Sequence, residues 1–187
     1  MRTRQLLDAA FVELLHRRAY GNIRVNDITR KAGVGRATFY AHYSSKDDLL
    51  RSQFDRIVAP MLAIKPQDAC LLDVSVFLSH IQLPPKIYGA LLGAQDAGEA
   101  PRILRDCFAE RVKQALGARD GSAPTVGASV AMERAIVTRA VASSLLAVIE
   151  AWAESNMSKP LQEVQAIFSK LVGGGLTALK APDSNRL

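Results

Sequence analysis

The chain is poor in the residues that staple, ligate or catalyse. Two cysteines, Cys70 and Cys107, stand in 187 residues, too few for a disulfide framework. Their plain reading is buried free thiols in a reducing compartment. A redox-sensing pair is the alternative, and no neighbouring charge argues for activated thiolates. The three histidines, His16, His42 and His80, are scattered. They build no H-E-x-x-H motif, and none can be paired with a Ser or Cys from the sequence. The run Gly173-Gly174-Gly175 follows a helical pattern and lacks the Lys-Ser/Thr partner of a phosphate cradle. No metal site, cofactor or catalytic centre is expected. Long apolar runs are scarce too. The longest strongly apolar stretch, Ala140 to Ile149, is 10 residues and contains Ser143 and Ser144, against about 20 for a bilayer span. The first segment breaks its apolar positions with Asp8 and Glu13, unlike a secretory leader. A soluble cytoplasmic protein with no membrane partner is expected.

What is present is a folded, unevenly charged chain. Hydrophobic residues make up 49%, which excludes general disorder. Residues 1–58 carry 11 Lys/Arg and 6 Asp/Glu, a net +5, whereas residues 59–187 carry 13 and 12, a net +1. A basic first third joined to a near-neutral remainder points to a polyanion partner for the first.

Apolar residues recur at helical spacing almost throughout, and nothing reads as a sheet. Leu6, Leu7, Ala10, Phe11, Leu14 and Leu15 form the stripe of a first helix. A second runs from about Val25 to Ala32, ended by Gly33, which can take positive φ. Val34 and Gly35 complete a tight turn, and a short third helix covers about 36–42. Ser45 followed by Asp48 fits a capping box, so a fourth helix starts there and runs to about Ala59, where Pro60 breaks it. Five further helices are expected at about 68–81, 84–95, 99–116, 127–155 and 160–179. Pro84-Pro85, Gly98 with Pro101, the loop 117–127 and the stretch from Asn156 to Pro160 separate them. The expected division is a first domain over 1–48, a C-terminal domain over 49–181 and a flexible tail over 182–187.

The stretch from Val25 to Leu50 has the parts of a helix-turn-helix. Ala32 is the small residue near the end of the first helix, Gly33 makes the turn, and Val34 plugs it. Phe39 is the buried side of the second helix. Arg36, Thr38, Tyr40 and His42 can form its exposed side, where side chains reach base edges and phosphates of a major groove.

These residues resemble the TetR family of bacterial regulators. The signature around the recognition helix stands here as Ala32-Gly33-Val34, Thr38-Phe39-Tyr40, His42-Tyr43 and Lys46 with Leu49. Val25-Asn26-Asp27-Ile28 and Tyr20-Gly21 match as well, and the likeness covers about residues 4–54. The resemblance implies an all-α fold of about nine helices. A three-helix DNA-binding domain would precede a helical effector-binding and dimerisation domain. It implies a DNA-contacting set of Arg36, Ala37, Thr38, Tyr40, His42, Tyr43 and Lys46. Within it Arg36 would read a base edge, most naturally guanine. Thr38 would touch a phosphate or a thymine methyl, and Tyr40 and Lys46 would bind phosphates. The residues alone leave plainer roles open. Arg36 would then contact only a phosphate, Tyr40 and Tyr43 would pack, His42 would be a half-buried structural histidine, and Lys46 would be a solvated cation. Two departures stand out: Arg24 replaces a capping Thr or Ser before the second helix, and Gly35 stands where Ser is common.

Two stripes run along the expected 127–155 helix. Val137, Val141, Leu145, Val148 and Trp152 are large and apolar, while Ala140, Ser144, Ala147 and Ala151 are small. The last helix places Leu161, Val164, Ile167, Phe168, Leu171 and Val172 on one face. The resemblance implies a homodimer joined by these two helices, through Ala140, Ser144, Ala147, Ala151, Val164 and Phe168; the alternative is that both stripes are core. Phe77, His80, Tyr88, Phe108 and Trp152 are candidates to line an effector pocket among the middle helices, though aromatics at this spacing are more often core. The function implied is a sequence-specific transcriptional regulator. It would be a repressor released from a palindromic operator in double-stranded DNA by an unidentified small-molecule effector. An effector-independent architectural DNA-binding protein and an all-helical enzyme are the alternatives.

Overall fold

A computed structural model describes residues 2–65, 72–82, 85–93, 96–120 and 128–180. Cys70, Pro84, residues 121–127 of the expected loop and the expected tail over 182–187 lie outside them. The described residues contain nine α-helices, and the all-α reading holds. The chain forms two compact units, 1–60 with 80–107 and 61–79 with 108–187.

The first unit contains α1 (Arg2–Leu15), α2 (Val25–Ala32), α3 (Arg36–Tyr40) and α4 (Lys46–Gln53). Part of α5 (Ser75–Gln82), all of α6 (Pro85–Leu92) and the start of α7 (Ala100–Asp120) belong to it as well. Leu7, Ala10, Phe11, Leu14 and Leu15 are buried as their spacing requires, but Leu6 of the expected stripe is 45% exposed. Asp8 is buried beside them, because partners on other elements satisfy its carboxylate.

Arg24 has no side-chain acceptor with which to cap α2. Asp27 compensates, its carboxylate accepting from the Arg24 backbone N–H at 2.9 Å. At the other end Gly33 takes φ 68°, ψ 32°. The Val34 N–H reaches the Thr29 carbonyl at 3.0 Å and the Gly33 N–H the Arg30 carbonyl at 3.3 Å, the two bonds of a Schellman ending. For α4, the Ser45 hydroxyl accepts from the Asp48 N–H at 3.0 Å. The Asp48 carboxylate returns to the Ser44 N–H at 2.8 Å, one residue earlier than a standard capping box. The helix then widens into a π turn over Phe54–Val58 and tightens into a 3-10 turn over Ala59–Met61, so winding stops around Pro60.

The second unit holds α8 (Ala128–Glu154), α9 (Leu161–Lys180) and the remainder of α5 and α7. It also corrects the sheet-free reading. Ala63–Ile64 (β1) and Leu72–Asp73 (β2) pair antiparallel, with Ala63 opposite Asp73 and Ile64 opposite Leu72. The expected 68–81 helix begins only at Ser75. The physical reason is Asp73, whose carboxylate accepts from the Ser75 N–H at 3.0 Å and hydroxyl at 2.6 Å and pairs with Lys65 at 2.8 Å. It thereby starts the helix and ties the ribbon. Leu72 and Val74, buried on either side of it, follow a two-residue period.

Helix α8 is the apolar spine of this unit. Val137, Val141, Ala142, Leu145, Leu146, Ile149 and Trp152 are buried, as are Val164, Phe168 and Val172 of α9. Each large side chain so buried contributes about 1.5–3 kcal/mol. The segment Ala131–Glu154 is long enough to cross a bilayer, its most apolar 18-residue window has mean hydropathy 1.5, and 44% of that window is buried within the protein. The ten-residue apolar run therefore understates this helix, whose alanines extend it in both directions.

Candidate nucleic-acid interface

Helix α3 is only five residues long, so its orientation depends on what flanks it. The left-handed Gly33 turns the chain sharply, and Gly35 enters α3 with φ −75° and ψ 159°. Phe39 and Ile28 are fully buried and fix one face. The Phe39 ring meets Tyr40 edge-on at 5.4 Å and lies 5.9 Å from Tyr43, centroid to centroid. With Phe39 turned inward, Arg36, Ala37, Tyr40 and His42 are exposed, and Thr38 is half-buried. Tyr40 packs its ring against Phe39 yet keeps 49% of its surface exposed, and His42 is exposed rather than half-buried.

Tyr43 and Lys46 are placed differently. Tyr43 is 2% exposed. Its hydroxyl donates to Asp8 at 2.6 Å and accepts from Arg4 Nε at 3.0 Å, and Arg4 also lies over its ring at 5.5 Å. Burial first, and the bond to Asp8 second, push the Tyr43 hydroxyl above its ordinary pKa. Lys46 Nζ donates to the carbonyls of Tyr20 and Ile23, each at 2.8 Å, and sits 3.9 Å from the Tyr20 ring centroid. Burial lowers its pKa from the ordinary value of 10.5. Two of its three N–H groups are thus committed and one remains. Tyr20 is itself buried and bonds through its hydroxyl to Asp47. That setting raises its pKa, desolvation being the larger cause.

The sequence reading missed part of this surface. Arg24 and Asn26, at the start of α2, are exposed; Arg24 had drawn notice only as a poor cap. Arg17, Arg18, Arg30 and Lys31 line a cleft of about 340 Å³ with Glu13 and Asp27. Lys31 and Arg17 both pair with Glu13, at 2.5 and 3.0 Å, and Arg18 pairs with Asp27 at 3.7 Å; four cations against two carboxylates leave the cluster net positive. The signal was the charge excess of the first third, which does not say which helix faces carry it.

The pocket candidates fall in different units. In the first, the His80 and Tyr88 rings meet edge-on at 6.3 Å, and burial raises the Tyr88 hydroxyl pKa. In the second, Phe77 and Phe108 are buried with ring centroids 5.3 Å apart. Trp152 is buried there too, its indole N–H donating to the Lys159 carbonyl at 3.0 Å. Of the dimer candidates, Ala140, Ala147 and Ala151 are exposed and Ser144 is half-exposed, whereas Val164 and Phe168 are buried within the protomer. Among the described residues, the large apolar side chains that α8 and α9 leave exposed are Met132, Ile136, Ile167 and Leu171.

Residues 6–52 match the profile of the bacterial regulatory proteins, tetR family. The uncharacterized HTH-type transcriptional regulator YxbF of Bacillus subtilis is 41% identical over 63 residues, 33% of this chain and 17% of that protein. YwcC of the same organism, also an uncharacterized HTH-type transcriptional regulator, is 51% identical over 41 residues, 22% of this chain and 18% of its own length. The matched segment is thus under a fifth of either relative. Among solved structures, a TetR transcriptional regulator from Streptococcus agalactiae has a TM-score of 0.60 at 20% identity, covering 91% of this chain and 93% of that one. One from Rhodococcus has a TM-score of 0.56 at 18% identity, covering 98% of both chains. At these identities the likeness is one of fold.

Proposed function

We propose that this chain, whose N-terminal domain belongs to the tetR family of helix-turn-helix proteins, is a sequence-specific, DNA-binding regulator of transcription. The observation that carries the reading is the recognition helix: Phe39 is turned fully inward, while Arg36, Ala37, Tyr40 and His42 stand exposed. Arg36 would read guanine through its bidentate fork. Thr38 and His42 would extend the contact, and Tyr40 would bind a phosphate. The remaining N–H of Lys46 would reach a second phosphate. Arg24 and Asn26 are further candidates at the start of α2.

The functional unit we infer is a cytoplasmic homodimer on a palindromic operator. Two recognition helices must stand about 34 Å apart to enter successive major grooves. The exposed small residues Ala140, Ala147 and Ala151 of α8, with Ile167 and Leu171 of α9, are the surface we assign to the partner. Val164 and Phe168 support it from within. The action proposed is repression, relieved by a small-molecule effector that binds an arrangement with altered helix spacing more tightly. The test is selection of bound duplexes from a random pool. Enrichment of an inverted repeat supports the reading, and a pool that stays random overturns it.

A further inference from the structure

The recognition helix is too short to orient itself, and one hydrogen-bonded circuit closes behind it. Tyr43, three residues past α3, donates to one carboxylate oxygen of buried Asp8 at 2.6 Å. Arg56, in the π turn after α4, pairs with the other oxygen of Asp8 and donates to Gln53 Oε1 at 3.0 Å. Arg4 donates through Nε to the Tyr43 hydroxyl at 3.0 Å and through Nη2 to the Ser52 hydroxyl at 2.7 Å. Helix α1, the end of the recognition segment and α4 with its π turn are thus joined through charged and polar atoms. Asp8 and Gln53 are both more than nine-tenths buried.

We propose that the Tyr43 hydroxyl is a positioning group for base reading: through Asp8 and Arg56 it sets the pose of α3 against α1 and α4. This rests on the DNA-binding reading above. Phosphate contacts tolerate small displacements, whereas base-edge hydrogen bonds require side chains held to within about 0.5 Å. A phenylalanine would fill the same volume against Phe39, yet it would leave one Asp8 oxygen and the Arg4 Nε–H without their partner. The ring packs; the hydroxyl aligns.

The experiment compares Tyr43→Phe and Arg56→Met with the parent protein on the selected duplex and on a scrambled one, alongside thermal melts. Arg56 is half-exposed but holds the buried Asp8 carboxylate, so Arg56→Met, like Tyr43→Phe, is titrated at a temperature where its melt shows it folded. Each variant is expected to lose about tenfold in affinity for the selected duplex, the scale of one buried hydrogen bond, while scrambled-duplex affinity and salt slope stay at the parent values. The double variant should lose less than the product of the two single losses, since both act through Asp8. Unchanged discrimination in folded Tyr43→Phe or Arg56→Met overturns the proposal, and so does equal weakening on both duplexes. If Tyr43→Phe fails to fold, Arg56→Met alone decides. If the parent protein selects no sequence, the DNA-binding reading fails first and the alignment role falls with it.

Discussion

The ammonium of Lys46 lies 3.9 Å from the centroid of the Tyr20 ring and donates to the Tyr20 carbonyl at 2.8 Å. A residue at the start of α4 thereby closes the turn between α1 and α2. Lys46 is more than a surface cation: it holds backbone carbonyls that have no other side-chain donor among the described contacts.

Lys46→Ala therefore has two expected effects. Removing a charged donor from two carbonyls lowers stability by roughly 1–2 kcal/mol. It also weakens binding to all DNA sequences alike and lowers the salt slope by about 1 per subunit. Melting curves and salt-dependent titrations check the two separately. A slope equal to that of the parent protein would confine Lys46 to the turn.

The same turn fixes Gly21. Its N–H donates to the Asp96 carbonyl at 2.7 Å, and an added Cβ would stand 2.4 Å from that oxygen. The opposing Gly98 takes φ +57°. Gly21→Ala is expected to cost about 1–3 kcal/mol, as overpacking does, because the obstacle is backbone rather than a side chain that can swing away. A melt unchanged to within a degree contradicts this.

On α8 and α9 the surface proposed for a partner differs in burial from the core. Ala147→Glu should yield a folded monomer in sedimentation, since Ala147 is exposed. Phe168→Ala should destabilise the protomer by about 3–5 kcal/mol, since Phe168 is fully buried. A dimer that survives Ala147→Glu removes that surface from the interface.

Asp73 gives the acid dependence a definite sign. Its ordinary value of 3.8 falls to about 2, through Lys65 first and Ser75 next. The folded carboxyl binds its proton more weakly than the unfolded one. Its contribution to stability is therefore complete above the unfolded value and is lost as pH falls toward 2. Asp73→Asn should flatten stability between about pH 4 and 2, read by chemical denaturation at stepped pH.

Much of the fold was legible because helices announce themselves by period and caps. Gly33, Ser45 with Asp48, and Pro60 marked three boundaries near α2 and α4, and Phe39 was placed inside correctly. The β1–β2 ribbon was not legible, because each strand is two residues long and the hairpin depends on Asp73 finding Lys65. The packing of Tyr43 was legible as the plainer reading of its ring, and it is 2% exposed. The partner of its hydroxyl was not, because Asp8 stands 35 residues away. The commitments of Lys46 depend on carbonyls 23 and 26 residues earlier, beyond the reach of any local pattern.

The central claim is that this domain reads sequence rather than merely charge. Its most direct test is a pair of titrations at physiological salt, one with the selected duplex and one with the same bases scrambled. Specific binding at least about a thousandfold tighter than to the scrambled duplex is predicted, with Arg36→Ala relaxing discrimination at one base pair per half-site by about 1–3 kcal/mol. Equal affinities with equal salt slopes would contradict the account and describe an architectural DNA-binding protein instead.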